Sequence, residues 1–156
     1  MKLFFWNARG MGGDRAFRVL HSLMRDNHPD IVFLMETFCD HKVMETLRVK
    51  LVFDAKLVVD RVGNSGGLCL FWKVDFDVSL LSYSRFHIDT TVISHGDKKW
   101  RLTGFYGNPV ANQRSHGWTL LRRLAGLSSL PWVVGGDFNE IVSAQEKLEG
   151  CVRRSL

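Results

Sequence analysis

The chain has 156 residues, 46 % of them hydrophobic and 24 % charged, which allows one globular domain with a core and excludes a disordered chain. Its formal net charge of +5 is compatible with a polyanionic partner but does not identify one. The 3 cysteines form no CxxC pair, which predicts a reducing intracellular compartment, and no window approaches the roughly 20 apolar residues of a membrane helix, which predicts no membrane partner.

The first third of the chain alternates strand-like and helix-like segments. Residues 3–6 and 31–35 are continuous apolar runs, as expected for strands that are covered on both faces. The segment between them has helical periodicity, with capping residues at 12–14 and a stop signal at 27–29. A second helix is predicted over residues 40–50, again from an apolar stripe.

Short strands dominate the rest of the chain. They are predicted over residues 53–60, 67–72, 78–84, 88–94 and 100–106. Turns containing Gly and Asp join them, which favours an antiparallel meander. Ser115 is expected to cap a third helix, and residues 131–135 form the last predicted strand. Helices outside and many strands inside predict an α/β sandwich of two sheets, each with helices on its outer face.

Polar side chains follow three of the predicted core strands in the sequence. Asn7 follows the first strand and Glu36 follows the second, while Asp137 and Asn139 come after the last strand and a pair of glycines. Such groups tend to converge at one edge of a sheet, and convergent oxygen atoms suit a hard cation such as Mg²⁺. Phosphodiester hydrolysis needs this cation, a positioned water and help for the leaving oxygen. The pattern therefore predicts a metal-dependent phosphodiesterase site.

Each of these side chains has a plainer interpretation that stays open. Glu36 is the best candidate metal ligand or, taken alone, a solvated strand-end acid. Asp137 and Asn139 would point the same way in an extended segment, so that one could orient a water while the other holds a phosphate oxygen; the segment could equally be an ordinary turn. Asn7 could bind the cation, hold a neighbouring carboxylate, or simply end its strand through its own backbone.

Further candidates are weaker. Tyr106 ends a predicted strand, so its hydroxyl could donate to a phosphate oxygen or could pack at a sheet edge. Arg9 is either a phosphate contact or a solvated loop charge. Cys39 and His41 offer only one thiol and one imidazole, which is too few for a zinc site. The other histidines show no ligand spacing and are interpreted as surface or strand-edge residues.

Four motifs in this order resemble the endonuclease/exonuclease/phosphatase superfamily, which includes deoxyribonuclease I and the apurinic/apyrimidinic endonucleases. They lie at residues 6–10, 34–37, 104–107 and 135–141. Residues 66–73 and 100–107 are further similar to the endonuclease domain of plant non-LTR (LINE-type) retrotransposons. The resemblance covers residues 1–150 and leaves residues 151–156 as a tail.

The resemblance implies a four-layered, deoxyribonuclease I-like α/β sandwich and Mg²⁺- or Mn²⁺-dependent cleavage of DNA. In such elements the nicked strand primes a reverse transcriptase domain on the same polyprotein, which implies a nuclear location. By position, Glu36 would be the principal metal ligand with Asn7 beside it. Asp137 would activate or orient the attacking water and Asn139 would hold the phosphate, both belonging to the metal site, while Tyr106 would assist at the phosphate or the leaving group. Arg9 remains the candidate nucleic-acid contact.

The family pattern continues to a C-terminal Ser-Asp-His that this sequence lacks. We therefore expect a C-terminally truncated domain with an incomplete site and little or no cleavage by this chain alone. Two other functions stay open: a non-catalytic remnant that binds nucleic acid through its basic surface, and a phosphatase acting on a small phosphorylated molecule or lipid.

Overall fold

The computed structural model describes residues 1–140, which form eight strands, three α-helices and a short 3₁₀ turn. In chain order the elements are β1 (Leu3–Asn7), α1 (Asp14–Asn27), β2 (Ile31–Met35), α2 (His41–Lys50), β3 (Ala55–Val62), β4 (Ser65–Trp72), β5 (Asp77–Ser84), β6 (His87–Ser94), β7 (Lys98–Tyr106), the 3₁₀ turn (Ala111–Gln113), α3 (Arg114–Ala125) and β8 (Trp132–Asp137). The expected tail at residues 151–156 lies outside the described residues, as does the end of the expected domain.

The strands divide equally between two sheets. The first sheet has the order β1-β2-β4-β3, and the second has the order β5-β6-β7-β8. β1 runs parallel to β2, and β7 runs parallel to β8, whereas the other neighbours are antiparallel. The two parallel pairs adjoin across the sandwich, since β1 contacts β8 and a hydrogen bond joins Asn7 to Asp137 at their last residues. The carboxyl ends of these four strands therefore meet at one end of the molecule.

Apolar side chains hold the layers together. α1 and α2 cover the outer face of the first sheet, where Leu20 shares a buried cluster with Phe71. The inner faces of the two sheets share a second cluster that includes Phe33 and Leu102. α3 covers the outer face of the second sheet and lies close to the ring of Phe105. The order helices, sheet, sheet, helix confirms the four-layered α/β sandwich. None of the helices in the described range is long and apolar enough to cross a lipid bilayer.

Three local expectations are wrong, each for a physical reason. β2 is buried along its whole length as expected, but β1 is only half-buried because it forms the edge of its sheet. The strands from β3 to β7 do not form one meander, because β3 and β4 pair in the first sheet while β5, β6 and β7 pair in the second. Ser115 does not cap α3, because the helix already begins at Arg114 and its N-cap is Gln113. The N-cap of α1 is Gly13, which lies within the expected residues 12–14.

A buried ion pair fastens α3 to the second sheet. Arg101 and Asp89 are each 1 % exposed, and three hydrogen bonds of 2.7 to 3.2 Å join them. Arg101 also donates to the backbone carbonyl of Leu124 in the last turn of α3, at 2.6 Å. Thr103 donates to Asp89 at 2.6 Å and accepts from the indole nitrogen of Trp132 at 2.8 Å. The network thus ties α3 and β8 to the strand that ends at the candidate site.

His87 lies beside this network and is buried, contrary to its interpretation as a surface or strand-edge residue. It is 3 % exposed, and its ring nitrogens lie 3.1 Å from the Ser82 hydroxyl and 2.7 Å from the Ser84 hydroxyl. Burial lowers the pKa of His87 below its ordinary value of 6.5; the charge of Asp89 opposes this shift and that of Arg123 adds to it. The folded protein therefore favours the neutral imidazole.

We expect His87 to make the fold sensitive to mild acid. Below pH 6.5 the imidazole is protonated in the unfolded chain but stays neutral in the folded chain. The free energy of unfolding therefore decreases by at most about 1.4 kcal/mol for each unit by which the pH is lowered. Urea unfolding between pH 7 and 5.5 should show this loss in the parent chain and a smaller loss in His87→Gln. His95→Gln, which alters an 82 % exposed side chain, is the matched control and should leave the slope unchanged.

Candidate active site

The joined carboxyl ends of the parallel strands collect five of the six predicted site residues. Asn7 ends β1, Glu36 follows β2, Tyr106 ends β7, Asp137 ends β8, and Asn139 follows. Tyr106 lies opposite Asp137 in the register of β7 and β8. The segments that carry Asn7 and Asp137 are 130 residues apart in the chain, and they come together because the two sheets pack against each other.

Asp137 is oriented by two hydrogen bonds. The side-chain amide of Asn7 donates to Oδ2 at 2.9 Å, and the backbone N–H of Asn139 donates to Oδ1 at 2.9 Å. The other side-chain atom of Asn7, Oδ1, accepts from the backbone N–H of Arg9 at 3.2 Å. Of the interpretations left open for Asn7, this geometry favours the one in which it holds a neighbouring carboxylate. The side chain of Arg9 is exposed at the rim.

Glu36 and Tyr106 form the second pair of the site. The hydroxyl of Tyr106 donates to Oε1 of Glu36, and Tyr106 is only 5 % exposed. Burial raises the pKa of Tyr106 above 10, and the hydrogen bond and charge of Glu36 raise it further. The phenol therefore stays protonated and acts as a hydrogen-bond donor. The backbone of Glu36 is in the left-handed region at φ 50°, and its carbonyl accepts from Gly10 at 2.7 Å. Such strain costs about 1–3 kcal/mol and is common at functional sites.

Asn139 does not continue the strand, so of the two conformations left open for residues 137–139 the structure favours the turn over the extended segment. Its backbone lies in the left-handed region at φ 52°, and its backbone N–H donates to the carboxylate of Asp137 two residues earlier. Its side-chain amide donates to the carbonyl of Gly107 at 2.7 Å, and Gly107 donates in turn to the carbonyl of Asp137 at 2.7 Å. The loops after β7 and β8 are thereby held together at the site.

Gly136 lets β8 approach β7 next to the site. A Cβ atom on Gly136 would lie 1.8 Å from the carbonyl oxygen of Phe105, and its φ of 144° is unfavourable for other residues. We expect Gly136→Ala to lower the free energy of unfolding by on the order of 3 kcal/mol, through overpacking and backbone strain. Gly12→Ala, which meets nothing within 4 Å, is the matched control in the same urea titration. Equal stability of the two variants would contradict this reading of the close approach.

Sequence reasoning missed an aromatic stack that supports the site. Phe138, between Asp137 and Asn139, packs against Phe105 with ring centroids 5.1 Å apart and against Trp118 of α3 at 5.9 Å. In the sequence, Trp118 has the helical spacing of an apolar stripe with Leu121 and Leu124, which indicates core packing and not a contact with the loop after β8. The available signal was Gly117, since a glycine inside a helix costs about 1 kcal/mol and often marks a close contact.

The donors at this site fit a hard divalent cation. Within residues 1–140 no group of three or more His, Cys, Asp or Glu side chains is placed to share a metal ion. Mg²⁺ is usually held by one or two carboxylates with water completing the shell, and Glu36 and Asp137 supply that number, with the oxygens of Asn7 and Asn139 nearby. Asp40, which lies between the zinc candidates Cys39 and His41, caps α2 by accepting from two backbone N–H groups.

Two mixed sheets packed face to face, with helices on both outer faces, define a deoxyribonuclease I-like α/β sandwich. The particular family follows from the sequence: the family model described as "Endonuclease/Exonuclease/phosphatase family" matches residues 4–155. The chain belongs to this family, whose enzymes hydrolyse phosphoester bonds and generally depend on a divalent metal. No curated protein matches the sequence significantly.

Solved structures with the same fold share little sequence with this chain. The human Nocturnin catalytic domain has a TM-score of 0.65 and 16 % identity, with 88 % of this chain and 63 % of that chain covered. D. rerio TDP2 complexed with a single-strand DNA product has a TM-score of 0.62 and 16 % identity, with 89 % of this chain and 60 % of that chain covered. The endonuclease domain of TRAS1, a telomere-specific non-LTR retrotransposon, has a TM-score of 0.56 and 15 % identity, with 81 % of this chain and 54 % of that chain covered. The chain thus spans about half to two thirds of the length of these structures.

Proposed function

We propose that this chain supplies the catalytic face of a divalent-metal-dependent endonuclease that nicks DNA, as part of a retroelement. The observation that carries the proposal is the meeting of Glu36 with Tyr106, and of Asn7 with Asp137 and Asn139, at one end of the two sheets. These residues come from four strand ends, yet they form two adjoining hydrogen-bonded groups. A purely structural strand terminus does not need this many converging polar side chains.

Glu36 and Asp137 would hold the cation, and Mg²⁺ or Mn²⁺ would supply charge neutralisation at the phosphate. Asp137 keeps one orientation through Asn7 and the backbone of Asn139, so it can accept a hydrogen bond from a water and orient it toward phosphorus. Tyr106 remains protonated and can donate to a phosphate oxygen. Asn139 donates through its side-chain amide to the carbonyl of Gly107 and lies beside the hydroxyl of Tyr106, so these two side chains could hold the same phosphate oxygen.

DNA and the retroelement are the finer parts of the proposal. They are supported by the motifs at residues 66–73 and 100–107, by the net charge of +5, and by the shared fold with a retrotransposon endonuclease and a DNA-bound TDP2. The same proposal includes a reverse transcriptase domain on the polyprotein and action in the nucleus, where the target DNA is.

The test is relaxation of supercoiled plasmid with Mg²⁺ or Mn²⁺. The 156-residue chain is compared with a version extended through the codons that follow in frame. We expect little cleavage by the chain alone and Mg²⁺-dependent nicking by the extended version. Strong nicking by the 156-residue chain would contradict its expected low activity. Turnover of a phosphomonoester but not of DNA by both versions would contradict the endonuclease assignment.

Binding without cleavage is the second candidate, and the basic charge favours it. It predicts salt-dependent DNA binding that survives Asp137→Ala, because phosphate contacts release counterions whether or not the site can cleave. DNA affinity that is equally low at 50 mM and 200 mM salt would exclude it.

A further inference from the structure

α3 presents an aromatic side chain and arginines beside the candidate site. Trp118 is followed one helical turn later by Arg122, and residues at this spacing lie on one face of a helix. The sequence of α3, RSHGWTLLRRLA, contains no acidic residue. This face therefore combines a large π surface with uncompensated positive charge within the helix.

Trp118 is both anchored and exposed. Its ring stacks on Phe138 with an interplanar angle of 27° and a centroid distance of 5.9 Å, yet 42 % of the residue is exposed. Gly117 makes this position possible, since a Cβ atom there would lie 2.9 Å from the ring of Phe105. Trp118 is the one exposed tryptophan of the 5 in the chain, all of which lie within the described residues. Exposure of so large an apolar side chain is not explained by the packing of α3.

The two arginines that lie one helical turn before and one turn after Trp118 differ in their contacts. Arg114, one turn before Trp118, lies 3.7 Å from Glu140 and donates to the carbonyl of Pro109 at 3.2 Å. Arg122 is exposed and forms no ion pair among residues 1–140. Its position in the last turn suits the helix dipole, but that role leaves its guanidinium open to solvent and to an anion.

We propose that Trp118 and Arg122 bind a single-stranded nucleic-acid segment next to the site, with an unpaired base stacked on the indole and a phosphate on the guanidinium. The inference rests on the proposed function only in placing the nucleic acid at this end of the molecule. The two positions are about 6 Å apart along the helix axis, which one nucleotide can span. An intact duplex keeps its bases stacked on one another, so only an unpaired base offers its face to Trp118.

The experiment measures binding without cleavage. The 156-residue chain, in EDTA and low salt, is titrated with a fluorescent oligo(dT) of about 12 nucleotides and with a duplex of the same length. We expect the single strand to quench tryptophan fluorescence and Trp118→Leu to weaken its binding by about tenfold, with little change for the duplex. Trp118→Phe keeps a ring on Phe138 and should retain most of the affinity.

Arg122→Gln tests the phosphate contact. Its matched control is Arg18→Gln, the same change at an exposed arginine of α1, in the opposite outer layer of the sandwich. We expect the first variant to lose more single-strand affinity and more salt dependence than the second. Thermal melting of each variant shows whether it is folded.

The proposal is overturned if folded Trp118→Leu binds oligo(dT) as the parent does, if Arg122→Gln and Arg18→Gln are indistinguishable, or if the parent does not bind the single strand at all. These results are independent of the plasmid assay. A chain that binds oligo(dT) through Trp118 but never nicks in its extended form would contradict the endonuclease function and leave this binding surface intact.

Discussion

Glu36→Gln is expected to weaken Mn²⁺ binding by at least about tenfold and to remove nicking by the extended protein. Loss of an outer-shell partner typically costs about 10–100-fold in metal affinity or activity, and loss of a carboxylate that contacts the cation should cost no less. Glutamine keeps the shape of the side chain and can still accept from Tyr106, so the change removes the negative charge rather than the packing. Free Mn²⁺ measured by electron paramagnetic resonance during a titration gives the affinity.

The matched control for this variant is Asp97→Asn. Asp97 is an exposed acid in the turn before β7, at the far end of the strand from Tyr106, and its φ of 55° is one that asparagine tolerates. Both variants lose one negative charge, so a general electrostatic effect would weaken Mn²⁺ binding equally in the two. Unchanged Mn²⁺ affinity in Glu36→Gln would exclude Glu36 as a ligand. Retained nicking would exclude it from the reaction.

The sequence predicts local structure well where one physical signal dominates. The continuous apolar run of β2 and the stripe of α2 determine their positions to within a residue, because a buried strand and an amphipathic helix leave different periodicities. The division of the strands between two sheets is not predictable in this way. β4 and β5 both carry strand-forming residues, and no local feature of the sequence shows that the chain crosses to the second sheet between residues 72 and 77.

The candidate site is likewise predictable from the sequence in its local features and not in its tertiary contacts. That polar residues gather at strand ends follows from the sequence, because each comes directly after an apolar run. The contact between Asn7 and Asp137 does not follow, since it depends on how two edge strands meet across 130 residues. The left-handed turn at Asn139 and the stacking of Trp118 on Phe138 are also products of tertiary packing, and they change how the site is built.

Asp89→Ala is expected to lower the free energy of unfolding by about 3–5 kcal/mol, the usual cost of leaving one partner of a buried ion pair without the other. Arg101 is 1 % exposed and would keep its charge with no carboxylate beside it, while Thr103 would lose the acceptor of its hydroxyl. A domain of this size has about 5–15 kcal/mol of stability, so the variant should lose most of its resistance to urea. Asp77→Ala, at an exposed position on the edge strand of the same sheet, should change the urea midpoint little.

The double variant Asp89→Leu/Arg101→Met separates the two reasons for this loss. If the cost comes from an unpaired buried charge, removing both charges should recover stability relative to Asp89→Ala, because apolar replacements of a buried pair are often neutral or better. Recovery should be incomplete, since Arg101 also donates to the carbonyl of Leu124 and so holds the end of α3. If the double variant is instead less stable than Asp89→Ala, the anchoring of α3 outweighs the charge. The helix that places Trp118 beside the site would then depend on Arg101 itself.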